Sequence, residues 1–372
     1  MHFLRLAVSL LLFAAPLPRA AAQRADSSQT FATLVARLSE AGGYFDSDNI
    51  ITNEASYLHV ASQLAKVGVH GGMYVGVGPD QNFSYIALIR PSIALMVDIR
   101  RDNMLEHLLF KSLFEASRNR LEYLCLLLGK PVPSDVDRWT GRPIADVLAY
   151  IGRTATDSAT VRASRAASNA RITSFGVSLD RRDRTTIDAY RAEFVASGLD
   201  TRYSSLGRNN RADYPSFGQL IRATDRAGRE ISYLADEDAF QYVRSMERRG
   251  RIIPVIGNVA GTTAMQSIAR YAEENGLAVS AFYLSNVEQY LIQRDQGFDR
   301  YVANVRALPH NASSVIIRSY FGRFGQTHPL YVRAPGNVST SMIETVDSFL
   351  RRATAREIGG YPDLVFGGYV SP

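Results

Sequence analysis

The sequence predicts an α/β protein: a doubly wound, mostly parallel, Rossmann-like sheet carrying a helical insertion. Three observations carry this. Short apolar runs free of polar alternation recur at Met73–Gly76, Ile93–Asp98, Ile252–Ile256, Ala278–Leu284 and Ser314–Arg318. Such runs are the mark of strands buried on both faces. Segments of helical period separate them, and glycines stand where the first and third runs end. Strand, turn, helix, strand in that order is the βαβ pattern of a parallel sheet.

The chain has 372 residues, room for one large α/β domain. Its first part reads as a signal peptide, residues 1–22: Arg5, an apolar stretch from Leu6 to Leu17, then Arg19-Ala20-Ala21-Ala22-Gln23, with cleavage expected after Ala22. The apolar run is short for a bilayer span, so no integral membrane segment is expected after cleavage. An exported protein, periplasmic or secreted, follows. The net charge of +6 falls to +4 without the leader's two arginines. Spread over this length, it does not call for nucleic acid. Cys125 is the only cysteine and sits among leucines, which points to a buried, inert thiol and excludes a disulfide within the chain or a cysteine-based metal cluster.

Residues 23–45 form a leader-proximal stretch and a helix from Phe31 to Leu38, ended by Gly42-Gly43; the α/β domain is placed at 46–372. Asp46 to Glu54 is a polar loop, and a helix follows from about Ser56 to Val67. Met73–Gly78 is the first strand and its glycine turn. A helix over Asn82–Ile89 stops at Arg90-Pro91, and the second strand ends in Asp98. The next helix is expected to start at Asn103, with Glu106 completing a capping box, and to bury Leu105, Leu108, Leu109 and Leu113. The insertion, about 131–200, is helical; its Arg-rich middle lacks interleaved aromatics and reads as a solvated face. Strands return at Ile252, and Gly276 ends the helix Thr263–Glu274.

Four places carry chemistry. At Gly76-Val77-Gly78-Pro79-Asp80-Gln81-Asn82, glycines at a strand end let backbone approach a ligand, and the following helix offers free N–H groups. Asp98, twenty residues beyond Gly78, stands where an acid binds both ribose hydroxyls of a nucleoside. Gln81 replaces the third glycine of the dinucleotide fingerprint, and Pro79 removes a donor. A pyrophosphate is therefore a poor fit, and a ligand without phosphates a better one. Gly76, Gly78, Asp80, Asn82 and Asp98 form the candidate cofactor site; a plain βα turn is the structural alternative. Second, Asn258 lies between a strand and a helix, where it either orients a ligand or caps the next segment. Third, Ser285 and Asn286 follow the fourth strand as candidate substrate contacts or helix caps, with Glu288 as the candidate general base. Fourth, Asn53 and Glu54 in the polar loop could close over a pocket, or belong to a surface turn. No GxSxG elbow, Walker loop or HExxH is present, and His59, His70, His107, His310 and His328 lack metal-ligand spacing; no metal is expected.

The stretches Tyr74–Phe83, Val97-Asp98-Ile99-Arg100-Arg101 and Ala281–Tyr290 resemble a bacterial family of unassigned function whose fold is similar to class I S-adenosylmethionine-dependent methyltransferases. The likeness runs from about Ser47 to Tyr320. It implies a methyltransferase-like fold, a pocket at Gly76, Gly78, Asp98 and Asn258, and S-adenosylmethionine as the cofactor to test. The leader points the other way, because that cofactor is cytoplasmic. An exported, non-catalytic protein that binds a small molecule on a degenerate methyltransferase fold is the second expectation.

Overall fold

The computed structural model describes residues 30–205, 213–294, 296–322, 325–334 and 336–372. The expected signal peptide lies outside the described residues. Residues Phe31–Pro372 form one compact unit.

In chain order, α1 (Phe31–Leu38), a 3-10 turn (Tyr57–Val60) and α2 (Ala61–Val67) precede β1 (Met73–Gly76), α3 (Gln81–Ile89) and β2 (Ile93–Asp98). A long helical stretch follows: α4 (Arg101–Ala116), α5 (Arg120–Leu128), α6 (Ile144–Arg153), α7 (Ser158–Ser174), α8 (Arg181–Ser197), α9 (Phe217–Ile221) and α10 (Glu237–Arg248). Then come β3 (Ile252–Ile256), α11 (Ala264–Glu274), β4 (Val279–Ser285), α12 (Val287–Ile292), α13 (Gly297–Ala307), β5 (Val315–Tyr320), β6 (Thr340–Thr345), α14 (Val346–Thr354) and α15 (Tyr361–Phe366).

The six strands form one sheet in the order β3-β2-β1-β4-β5-β6. The first five run parallel and β6 is antiparallel to β5. Every residue of β1, β3 and β5 is buried, which explains the continuous apolar runs of β1 and β3. In β5 and β6 the buried residues include Arg318, Ser319, Ser341 and Glu344, so polar groups there need partners within the protein. The strand order reverses direction on either side of β1. The carboxyl ends of β1 and β4 therefore diverge, leaving a crevice between the helices that follow them.

α4 departs from the expected boundary. It begins at Arg101, with Arg100 as its N-cap, and Asn103 and Glu106 lie inside it, both buried. The loop from β2 is only two residues long, and Asp98 turns the chain by accepting from the Arg100 backbone N–H at 2.8 Å. No room is left for a cap at Asn103. The apolar reading of the helix holds, since Leu105, Leu108, Leu109 and Leu113 are all buried. The insertion packs against this same helix through α7 and α8. Its Arg162, Arg165 and Arg171 face solvent, with Arg165 paired to Asp188. Cys125 is buried, and burial pushes its thiol up to about 12.

Candidate functional site

A cavity of about 320 Å³ opens at the carboxyl rim of the sheet. Four strand ends reach it: Gly78 after β1, Asp98 at the end of β2, Asn258 after β3 and Ser285 at the end of β4. Asn286 lines it too, and so does Asn53 of the polar loop. Gly76, Asp80, Asn82, Glu54 and Glu288 stand outside its lining.

The β1 turn is held from within. Asn82 Nδ2 donates to the carbonyls of Val77 at 2.9 Å, Gly78 at 3.3 Å and Pro79 at 2.8 Å, and its Oδ1 accepts from the Tyr74 hydroxyl at 2.7 Å. Gly78 adopts φ +82°, a conformation that favours glycine. His107 Nε2 donates to the Gly78 carbonyl at 2.9 Å from below. Burial lowers the imidazole to about 4, so the ring is neutral and carries its proton on Nε2. Asp80 is buried behind the turn, where it accepts from the Tyr233 hydroxyl at 3.1 Å; burial raises its carboxyl to about 7. Asn82 thus builds the turn from behind, while the Asp80 carboxyl meets Tyr233.

At the end of β2, the Asp98 carboxylate receives Arg100 Nε and Nη2, each at 3.2 Å, as well as the Arg100 backbone N–H. The guanidinium continues to the carbonyls of Ser47 and Asp48, both at 2.8 Å. Through this clamp Asp98 fixes the loop carrying Asn49, Thr52 and Asn53 over the cavity.

At the end of β3, Asn258 Oδ1 accepts from the Ala260 N–H at 2.9 Å, so it caps its own turn. The start of α11 is capped instead by Glu40, which accepts from the N–H groups of Asn258 at 2.8 Å and Ala264 at 2.9 Å. Asn258 Nδ2 has no partner among the described residues. Asn258 thus caps its turn with one side-chain atom and also lines the cavity.

β4 ends irregularly. Its register with β5 shifts between Tyr283 and Ser285, and Ser285 sits at φ +53°. A bulge at a strand end re-aims side chains. Tyr283 and Ser285 both line the cavity, and both hydroxyls donate to Glu54, from Tyr283 at 2.9 Å. Neither Ser285 nor Asn286 caps α12 with its side chain. Glu288 points away from the rim: both its oxygens are held by Arg318, at 2.6 and 3.1 Å, and pair and residue are fully buried. With both oxygens taken by the guanidinium and the residue outside the cavity lining, Glu288 is not placed to exchange protons with a ligand there.

The walls supply what the sequence did not single out. Tyr44, Phe45, Tyr203, Tyr214, Tyr290 and Phe321 surround the opening, with Phe45 and Tyr290 packed edge to face at 5.2 Å. Arg294 is the one cationic side chain lining it among the described residues. The only signal available was the aromatic pair Tyr44-Phe45 just before the polar loop. The other wall residues come together from segments far apart in sequence.

A family model, described as a domain of unknown function (DUF7790), matches residues 49–131 and 182–357. The chain belongs to the DUF7790 family. Every strand of the sheet lies within the matched segments, and the unmatched interval between them spans α6 and α7. The DUF7790 match also takes in Gly78, Asp98, Asn258, Ser285 and Asn53, while Tyr44 and Phe45 fall before it. No curated protein matches the chain. Among the described residues, no group of three or more His, Cys, Asp or Glu side chains is placed to hold a metal, and no helix is long and apolar enough to cross a membrane.

Proposed function

We propose that this DUF7790 chain binds a nucleoside-class small molecule at the carboxyl rim of a Rossmann-like, methyltransferase-like sheet. One observation carries the reading. Gly78, Asp98, Asn258 and Ser285 come from the ends of four parallel strands and converge on a single cavity at the point where strand order reverses. The volume is at the lower end of the roughly 300–1,000 Å³ usual for small-molecule sites. Aromatic walls suit a flat base, asparagine amides suit its polar edge, and Arg294 suits a ligand carboxylate. S-adenosylmethionine presents a base, a ribose and a carboxylate without phosphates, in keeping with Pro79 and Gln81 in the turn. When bound it would supply a transferable methyl group; Asp98 would meet the ribose and Arg294 the carboxylate.

A second reading is favoured by the Asp98–Arg100 clamp. The carboxylate is already engaged by three N–H donors, so ribose hydroxyls must share it. This suits a non-catalytic ligand-binding protein on the same scaffold, and the expected export through residues 1–22 suits it as well. Titration calorimetry with S-adenosylmethionine, S-adenosylhomocysteine and adenosine decides. Saturable heat from any of them supports the pocket reading. Asp98→Ala is then expected to weaken binding tenfold or more, because a charged acceptor contributes about 1.5–3 kcal/mol. Silence from all three ligands would overturn it. Binding by adenosine and S-adenosylhomocysteine without methyl transfer to any acceptor would select the second reading.

A further inference from the structure

Beneath the cavity lies a carboxyl group that ligand binding alone does not require. Glu54 is fully buried and has no salt-bridge partner among the described residues. One of its oxygens accepts from Tyr283 and Ser285, the other from Ser319 Oγ at 2.5 Å. Tyr283 and Ser285 line the cavity. The ionisable groups that sense its charge are the phenols of Tyr74, Tyr85, Tyr283 and Tyr361. Burial outweighs the three hydroxyl donors and lifts the carboxyl above its ordinary range.

The network continues behind it. Ser319 Oγ meets Ser341 Oγ at 3.0 Å, Ser341 meets Ser56 at 3.2 Å, and Ser56 meets Ser339 at 2.8 Å. All four serines are buried. A hydroxyl both donates and accepts and turns about its own bond. A chain of them can therefore reverse the sense of its hydrogen bonds as a proton moves. Glu288 shows the contrast, since a fixed guanidinium occupies both of its oxygens.

We propose that Glu54 holds the proton exchanged with a ligand in this cavity, and that the Ser285 hydroxyl passes it. The role rests on the pocket reading above and adds a property of the ligand: a protic group, such as a hydroxyl, amine or carboxyl, at the β4 end. In the delivering direction, neutral Glu54 gives its proton to Ser285 Oγ while the Ser285 proton goes to a basic atom of the ligand. Glu54 is left as a carboxylate and Ser285 is unchanged. In the reverse direction the ligand's proton goes to Ser285 Oγ, and the Ser285 proton returns to Glu54. Ser285 touches the ligand, and Glu54 acts through it as a positioning residue.

Infrared difference spectroscopy of the full chain without ligand tests the first half. In a pH titration, the carbonyl band of the protonated Glu54 carboxyl is expected to persist to higher pH than that of an ordinary carboxyl and to be absent in Glu54→Gln. Ser285→Ala and Ser319→Ala, each deleting one hydroxyl partner, should shift that band without removing it. Identical spectra for wild type and Glu54→Gln would overturn the proposal. Calorimetry with adenosine and S-adenosylhomocysteine in buffers of different ionisation enthalpy tests the second half. Net proton exchange on binding is expected in wild type and lost in Glu54→Gln with binding retained; Ser285→Ala, which removes a ligand contact, is expected to lose the exchange and to bind more weakly. Binding with the same proton exchange in all three proteins would overturn the role of Glu54 while leaving the pocket reading intact. A Glu54 band that shifts in Ser285→Ala, with no binding of adenosine, S-adenosylhomocysteine or S-adenosylmethionine, would support the proton-holding assignment and refute the pocket reading.

Discussion

A Cβ placed on Gly76 would lie 2.0 Å from Asn82 Oδ1 and 2.7 Å from the Tyr74 phenol oxygen. Gly76 therefore serves close packing inside the turn, while Gly78, at φ +82° and beside the cavity, serves backbone conformation. Gly76→Ala must displace the Asn82 amide from three carbonyls and one hydroxyl. Overpacking of this kind costs about 1–3 kcal/mol, and the unpaired buried amide adds to it. A stability loss at or above that range is expected in urea unfolding; a loss below about 0.5 kcal/mol would refute the packing role. Residue by residue, the sequence showed which positions matter better than it showed why. Gly76, Asp80 and Asn82 were recognisable as a special turn, yet Gly76 and Asn82 serve the turn's own packing and the Asp80 carboxyl meets Tyr233. Asp98 was recognisable as a rim acid, but its pairing with Arg100 two residues on leaves no trace in periodicity.

Strands were the most legible elements, because burial on both faces writes itself as a continuous apolar run. Four rim positions followed directly from locating strand ends. The polar strands were harder to read. Arg318 in β5 lies between Glu288 of α12 and Glu344 of β6, at 2.6 Å from each, and Glu344 also pairs with Arg352 of α14 at 3.0 Å. The network ties four elements at the sheet edge, and it explains why an acid directly after a strand end, the sequence's best base candidate, serves structure. Removing one member of a buried ion network typically costs about 3–5 kcal/mol, because the remaining charges stay buried without compensation. Arg318→Leu is expected to lose that much in denaturant unfolding, and the triple change Arg318→Leu, Glu288→Gln, Glu344→Gln to recover a large part. If the single change were neutral, or the triple no better than the single, the network would not be the tie between these elements.

Across the whole molecule, buried acids make stability depend on pH in an unusual sense. Burial raises Asp80 to about 7 and Glu247 to about 8, and raises Glu54 and Glu106 as well. Each of these carboxyls binds its proton more tightly folded than unfolded. Their contribution is fully present below the unfolded carboxyl range and is lost as pH rises through the folded values. His107 has the opposite sense. Burial lowers it to about 4, so its contribution is present above its unfolded value near 6.5 and lost as pH falls toward 4. Below about 6.5 the two effects oppose each other. Above it the imidazole is neutral in both states, and only the carboxyls still change. Stability is therefore expected to fall between about pH 6.5 and 9, by roughly 3 kcal/mol from Asp80 and Glu247 together. Lys111, 3.7 Å from Glu247, already holds that carboxyl below where burial alone would put it. Asp80→Asn keeps the shape and removes one titration, so it should flatten the slope near pH 7 and leave the part near pH 8. Urea unfolding at half-unit pH intervals measures both. A wild-type profile that stays level or rises across this window would show that these acids are ionised in the folded protein, and would remove the physical basis for neutral carboxyls beneath the cavity.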